Sequence, residues 1–364
     1  MESIRGYVFF KDVFLKGQVD IEGGKIIAVK DAHLTEEEEK QYIIPGLVDI
    51  HTHGCAGHDT CDGDEEGLRA MLKYQREHGT TSYFPTTMTF HEDKVTDVVK
   101  NIKKVAETDK TVKGIYLEGP FISREKCGAQ NPDYIMKPDI DMLHRVNEAS
   151  GGLCRFVAVA PEQDGAMECI KAGKDEFKFS IAHTTADYDK AKEAIDAGAN
   201  HITHFFNAMP GYTHRAPGVI GAAMDTEDIR VELISDGIHI HPAVVRNTFK
   251  YFGGDRVILI SDSMEATGMK DGEYALGGQK VIVKGRLATL ENGTIAGSAS
   301  NLFDCLTTAI KMGVPKEEAI KAATSTPAKE AGIFDTVGSI EAGKNADILV
   351  LDKDFNLKKV YTEA

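Results

Sequence analysis

The chain has 364 residues, 42% of them hydrophobic and 27% charged, and a formal net charge of −15. That length and apolar content suit one large domain with a smaller companion. The acidic balance argues against a nucleic-acid partner, which requires a basic face, and leaves any anionic ligand dependent on a locally positive pocket.

Ile4–Phe10, Gly17–Ile21 and Lys25–Val29 read as short β-strands separated by turn residues such as Glu22-Gly23-Gly24. The opening residues have no apolar stretch of signal-peptide length, and the longest apolar runs, such as Arg256–Ser261, are strand-sized. A cytoplasmic protein with no membrane segment is expected. The cysteines Cys55, Cys61, Cys127, Cys154, Cys169 and Cys305 form no CxxC pair, which fits free thiols in a reducing compartment.

From Leu47 the chain alternates strand and helix. The expected strands are Leu47–Ile50, Thr81–Pro85, Gly114–Leu117, Arg155–Ala160, Phe177–Ala182, His201–His204, Arg230–Ser235 and Arg256–Ser261. Helical spacing marks Asp64–His78, with Leu68, Met71 and Leu72 on one face, and Glu92–Glu107. Another helix has Asp187 as N-cap and Gly198 as its stop. Helices Asn301–Met312 and Lys316–Gly332 follow the last strand. Eight strands with intervening helices predict a (β/α)8 barrel over residues 47–333. The closing Gly338–Ile340, Ala346–Asp352 and Leu357–Tyr361 return to β texture. Neither end can bury a core alone, so residues 1–46 and 334–364 are expected to pair into one small β domain.

The polar residues His51, His53, Glu118, His183, His204, His239 and Asp262 all fall at or just past strand ends, where a barrel carries its active site. Alternate strand residues point the same way, so His51 and His53 can reach one metal ion. Glu118, beside Gly119-Pro120, could merely cap a turn; with His183 and His204 it completes a carboxylate-plus-two-histidine ligand set for a divalent ion. Asp262 could be a turn aspartate, but beside a metal-activated water it would serve as general base and then return the proton to a leaving amine.

PGLVD before His51-Thr52-His53-Gly54 resembles the opening motif of the amidohydrolase superfamily. LEGPF (Leu117–Phe121), THFFNAMPGYTHRAPG (Thr203–Gly218), SDGIH (Ser235–His239), ISDS (Ile260–Ser263) and TIAGS (Thr294–Ser298) together resemble the N-acetylglucosamine-6-phosphate deacetylase family, over nearly the whole chain. The resemblance implies a (β/α)8 barrel with a small β-sandwich built from both termini, and a homodimer. It implies Glu118, His183 and His204 as principal metal ligands, with His51 and His53 at a second ion. One or two divalent ions, zinc or iron(II), are therefore expected.

The same resemblance places Ala129, Gln130, Asn207, Ala208, Arg215, Asp236–His239 and Ile295, Ala296 and Gly297 against an amino-sugar phosphate, with His239 polarising the acetyl carbonyl. Arg215 suits phosphate because its planar fork matches the oxygens. The family often has histidine where this chain has Gln130, which can hydrogen-bond a sugar hydroxyl but not carry a charge. That leaves N-acetylgalactosamine 6-phosphate, or a broader set of N-acetyl sugar phosphates, open beside the glucosamine epimer. A non-catalytic sugar-phosphate sensor would have no need of Asp262 and a full ligand set. A deaminase or dihydroorotase-like hydrolase would have no need of Asn207, Ala208 and Arg215.

Overall fold

The computed structural model describes residues 1–362. Eight parallel strands form the barrel in sequence order: Leu47–Thr52, Thr80–Thr87, Ile115–Leu117, Cys154–Val159, Lys178–Ile181, His201–Ile202, Arg230–Ile234 and Val257–Ile260. The first and last strands meet where the Asp262 amide donates to the His51 carbonyl at 3.0 Å and Ser261 Oγ donates to Asp49 Oδ2 at 2.5 Å. Strands covered on both faces carry near-continuous apolar runs. Val48, Ile50, Phe84, Tyr116, Phe156, Ile234, Ile258 and Ile260 fill the interior, and Ala328, Ala331 and Val337 close it beneath.

Helices Glu65–Glu77, Glu92–Ala106, Ile140–Ser150, Ala166–Gly173, Tyr188–Ala197, Gly218–Met224 and Pro242–Phe252 surround the strands. Their starts are chemically marked: Asp64 accepts the Glu66 and Gly67 amides, and Asp187 accepts that of Lys190. The helix expected over Lys316–Gly332 is two, Lys316–Ala323 and Ser325–Glu330, broken at Thr324. Pro327 explains the break, because its ring clashes with a helical carbonyl four residues back, at Ala323.

Both chain ends build a separate six-stranded sheet in the order Leu357–Tyr361, Ile348–Leu351, Tyr42–Pro45, Glu2–Phe10, Val13–Glu22, Lys25–Asp31. One face gathers Val8, Val19, Ile21, Ile26, Ile43, Ile340 and Ile348 into a core of its own. The alternate residues Phe9, Ile44, Leu349 and Leu351 pack with the main core, which fixes the sheet to the barrel.

A three-stranded antiparallel sheet, Gly272–Leu276, Gln279–Lys284 and Leu287–Leu290, not expected from the strand and helix pattern, follows the eighth barrel strand. It reaches the open end of the barrel, where Gln279 Nε2 donates to the Ala129 carbonyl at 2.6 Å.

Candidate functional site

His183, His204 and Asp262 lie just past their strands, and all three occupy the left-handed backbone region, with φ of 43°, 27° and 47°. Such conformations cost a non-glycine residue on the order of 1–3 kcal/mol and concentrate at functional sites. The sharp turn ends each strand and tips its side chain over the barrel mouth. His51 belongs to the first strand and His53 follows its last residue, Thr52; their ring centroids lie 5.3 Å apart.

Glu118 is the centre of the arrangement. Its Oε1 lies 3.1 Å from His183 Nε2 and 3.0 Å from His204 Nε2, and those two nitrogens are 3.0 Å apart. Three donor atoms with these separations can all lie at a normal zinc–ligand distance, about 2.0–2.2 Å, from one point. The other oxygen, Oε2, faces His53 Nε2 at 3.1 Å. His51, His53 and Asp262 form a second set, with Asp262 Oδ1 3.4 Å from His53 Nε2 and 3.7 Å from His51 Nε2. Glu118 thus presents one oxygen to each set.

The electrostatics suit a cation. Burial would raise the Glu118 pKa, but the imidazoles of His51, His183, His204 and His53 hold it well below the ordinary carboxylate range. Asp262 is lowered in the same way, burial being outweighed by the His53 hydrogen bond and the His51 charge. Burial would lower His51 and His53, yet the surrounding carboxylates raise both. Buried His51 Nε2 and His204 Nδ1 have no hydrogen-bond partner. The first of these points at the carboxylates, as a ligand nitrogen would. The donor set therefore fits one or two divalent ions.

Above the ligands opens a cavity of about 540 Å³, within the range of small-molecule sites. Of the residues expected from sequence, His53, Glu118, Ala129, Gln130, His183, Asn207, Ala208, His204, His239, Asp262, Ile295 and Gly297 line it. His51, Asp236 and Ala296 stand behind that surface, fully or almost fully buried. Arg215 is not brought to the cavity. It is exposed, and its guanidinium donates to His214 Nε2 at 2.8 Å.

Two of these residues have partners that sequence reasoning did not supply. Gln130 Nε2 donates to Glu118 Oε2 at 2.5 Å and its Oε1 accepts the Thr89 amide at 2.7 Å, so its amide orients the Glu118 carboxylate. Asp236 accepts the Ile238 and His239 amides with Oδ1 at 2.9 and 3.0 Å, and the His239 Nδ1–H with Oδ2 at 2.8 Å. Burial alone would lower the His239 pKa, but this hydrogen bond outweighs it and the pKa is raised. Lys126, Cys127, Gly128, Met88, Leu276 and Thr294 also line the cavity. Sequence reasoning assigns none of them a site role, although Thr294 opens the TIAGS segment, because nothing in their local pattern marks them as facing a cavity. Lys126 additionally accepts the His183 Nδ1–H on its carbonyl at 2.8 Å.

This chain is similar to named deacetylases along nearly its whole length. An N-acetylglucosamine-6-phosphate deacetylase of Bacillus subtilis is 38% identical over 367 aligned positions, covering 94% of this chain and 90% of that one. An N-acetylgalactosamine-6-phosphate deacetylase of Escherichia coli is 31% identical, covering 95% and 93%. The crystal structure of N-acetyl-D-glucosamine-6-phosphate deacetylase from Mycobacterium smegmatis superposes with a TM-score of 0.93 at 31% identity, covering 99% and 98%. The model of the amidohydrolase family matches residues 42–363, and the chain belongs to that family.

Proposed function

We propose that the chain hydrolyses the acetamide of N-acetyl-D-glucosamine 6-phosphate, giving D-glucosamine 6-phosphate and acetate. The observation that carries this reading is the convergence of Glu118, His183, His204, Asp262 and His239 on one cavity, in a chain similar to such deacetylases from end to end. A divalent ion on Glu118, His183 and His204 would supply Lewis acidity, lowering the pKa of water and polarising a carbonyl. His51 and His53 would hold a second ion.

Asp262 is ionised and so accepts the proton of the attacking water, then delivers it to the nitrogen as the C–N bond breaks. His239 gives Nδ1–H to Asp236, which leaves Nε2 as its free edge. A neutral ring in that tautomer has no Nε2 proton to give. The raised pKa favours the imidazolium, whose Nε2–H donates to the acetyl oxygen as negative charge develops there.

Asn207 and the Ala208 amide are proposed to hold the phosphate, joined by Arg215 from the second copy of a homodimer, since within one chain Arg215 stands outside the cavity. Ala129, Gln130, Asp236 and Ile295–Gly297 are proposed to shape the sugar subsite. Residues 1–46 with 334–364 are proposed as the small domain and 47–333 as the catalytic one. The ion is proposed to be zinc or iron(II), borderline metals that accept a carboxylate with imidazoles. The assembly is proposed to be a homodimer in the cytoplasm. Six free cysteines, five of them buried, support a reducing compartment, and among the described residues no helix is long and apolar enough to cross a membrane. The galactosamine epimer is a second reading, supported by the similarity to the Escherichia coli enzyme.

Steady-state rates on the two 6-phosphates and on unphosphorylated N-acetylglucosamine test the assignment. N-acetylglucosamine 6-phosphate should have the highest kcat/KM. Equal handling of the phosphorylated and unphosphorylated sugars would remove the phosphate site from the proposal, and preference for the galactose epimer would reverse the sugar.

A further inference from the structure

A line of charged side chains runs down the barrel interior from the ligands. His51 Nδ1 donates to Glu232 Oε2 at 2.9 Å, and Glu232 Oε1 lies 2.9 Å from His201 Nε2. His201 Nδ1 is 3.5 Å from Glu330 Oε1, whose Oε2 meets the Arg230 guanidinium at 3.0 Å. His51, Glu232 and His201 have no solvent exposure, and aromatic rings line their path, Tyr116 against His51 and Phe156 against His201. Sinking a carboxylate into such surroundings costs several kcal/mol unless its partners offset it. On the adjoining last strand the residue paired with Glu232 is the apolar Ile258, part of the apolar barrel filling. Packing therefore gives no reason for a glutamate here.

The geometry of Glu232 supplies one. The same Oε2 that holds the His51 ring also accepts the backbone N–H of His204 at 3.1 Å. One oxygen thus touches a member of each donor set. A carboxylate can only accept, so His51 must carry a proton on Nδ1; in the neutral ring that ligates a metal this leaves Nε2 bare and facing Glu118 at 3.5 Å and Asp262 at 3.7 Å. The bond to the His204 amide sits at the left-handed turn that tips the His204 ring towards Glu118.

We infer that Glu232 is a positioning residue for the metal centre, fixing the tautomer of His51 and the backbone of His204. This rests on the reading of the two donor sets as metal sites. Carboxylates that hold ligand histidines typically contribute about 10–100-fold in metal affinity. Glutamine at this position replaces one oxygen with an N–H donor. Turned to His51, that donor would force the imidazole proton onto Nε2 and block ligation there.

The test is calorimetric titration of zinc into chelator-stripped wild type, Glu232→Gln and Glu330→Gln, with elemental analysis of the reloaded proteins. Wild type and Glu330→Gln should bind two ions alike. Glu232→Gln should bind the ion of the His51, His53 and Asp262 set at least about tenfold more weakly. The ion on Glu118, His183 and His204 should be affected less, because Glu232 meets that set only through backbone. Two ions at wild-type affinity in Glu232→Gln would overturn this inference alone. So would equal loss in Glu330→Gln, which would mean general loosening of the interior. A wild type that binds one ion would overturn the paired-ion reading along with it. Should Glu232→Gln fail to fold, ¹⁵N-histidine spectra of zinc-loaded wild type decide the matter. His51 protonated at Nδ1 supports the inference, and protonation at Nε2 overturns it.

Discussion

Replacing Asp236 by asparagine isolates the charge on His239. The substitution keeps Oδ1 as acceptor for the Ile238 and His239 amides, so the loop should hold its course. What changes is the group at Oδ2, which now takes His239 Nδ1–H at 2.8 Å and the Ser298 hydroxyl at 3.2 Å. An amide N–H there favours the tautomer with the proton on Nε2, a neutral donor in place of a charged one. Hydrogen bonds involving a charged group contribute about 1.5–3 kcal/mol, against about 0.5–1.5 kcal/mol between neutral groups. The difference, about 1.4 kcal/mol, corresponds to about a tenfold fall in kcat. The pH profile carries a separate mark. In wild type the His239 pKa is raised, so the imidazolium persists above the ordinary histidine value of 6.5 and is lost only at higher pH. Without the Asp236 charge, burial is opposed only by the charge of Asp262, and the alkaline limb should move to lower pH. Acetate release measured across the alkaline range, with metal content checked in parallel, gives both quantities. An alkaline limb and kcat identical to wild type would refute the role assigned to this pair.

Other substitutions separate the remaining functions. Asp262→Asn should lower kcat by at least about a hundredfold, the usual contribution of a general base, while the ion on Glu118, His183 and His204 is retained by elemental analysis. Arg215→Ala should raise KM for the phosphorylated sugar by about thirtyfold, from roughly 2 kcal/mol for a charged bidentate contact, and leave the unphosphorylated sugar unchanged in steady-state assays. His201 tests the buried line of charge through stability. Burial would lower its pKa, but Glu232 and Glu330 raise it to about 9. Its protonated form therefore stabilises the fold fully below about pH 6.5, the unfolded value, and that contribution is lost as pH rises through about 9. The difference in urea unfolding free energy between wild type and His201→Gln should shrink between pH 6 and 10, and growth of that difference would contradict the ion-pair description.

The barrel and the donor groups at its mouth were legible because strand period and strand ends are local features. His51-Thr52-His53, Glu118, His183, His204 and Asp262 each announce themselves by position relative to an apolar run. The Phe10–Val13 turn did not, since Lys11 and Asp12 take positive φ of 50° and 65° without the Asn-Gly or Asp-Gly pair that normally marks such a hairpin. The antiparallel excursion over Gly272–Leu290 alternates exposed and buried residues in short pieces, too brief to separate from a loop by pattern. Glu232 lay unnoticed inside the Arg230–Ile234 strand because its partners, His51 and His201, come from distant parts of the chain. Gln130 invited comparison with a sugar-binding residue, whereas its two amide ends are taken by Thr89 and Glu118, which no spacing rule connects. Arg215 carried a phosphate-binding motif, yet within one chain it stands exposed beside His214.

Deacetylation that depends on a bound metal is decided by reconstitution. The protein is stripped with a chelator, supplied with N-acetylglucosamine 6-phosphate, and titrated with zinc or iron(II) while acetate and glucosamine 6-phosphate are both quantified. The account predicts no turnover before metal is added, then equal amounts of the two products at a rate that rises with occupancy of the Glu118, His183 and His204 site. Sustained turnover by the stripped protein, or a reloaded protein that releases neither product, would contradict it.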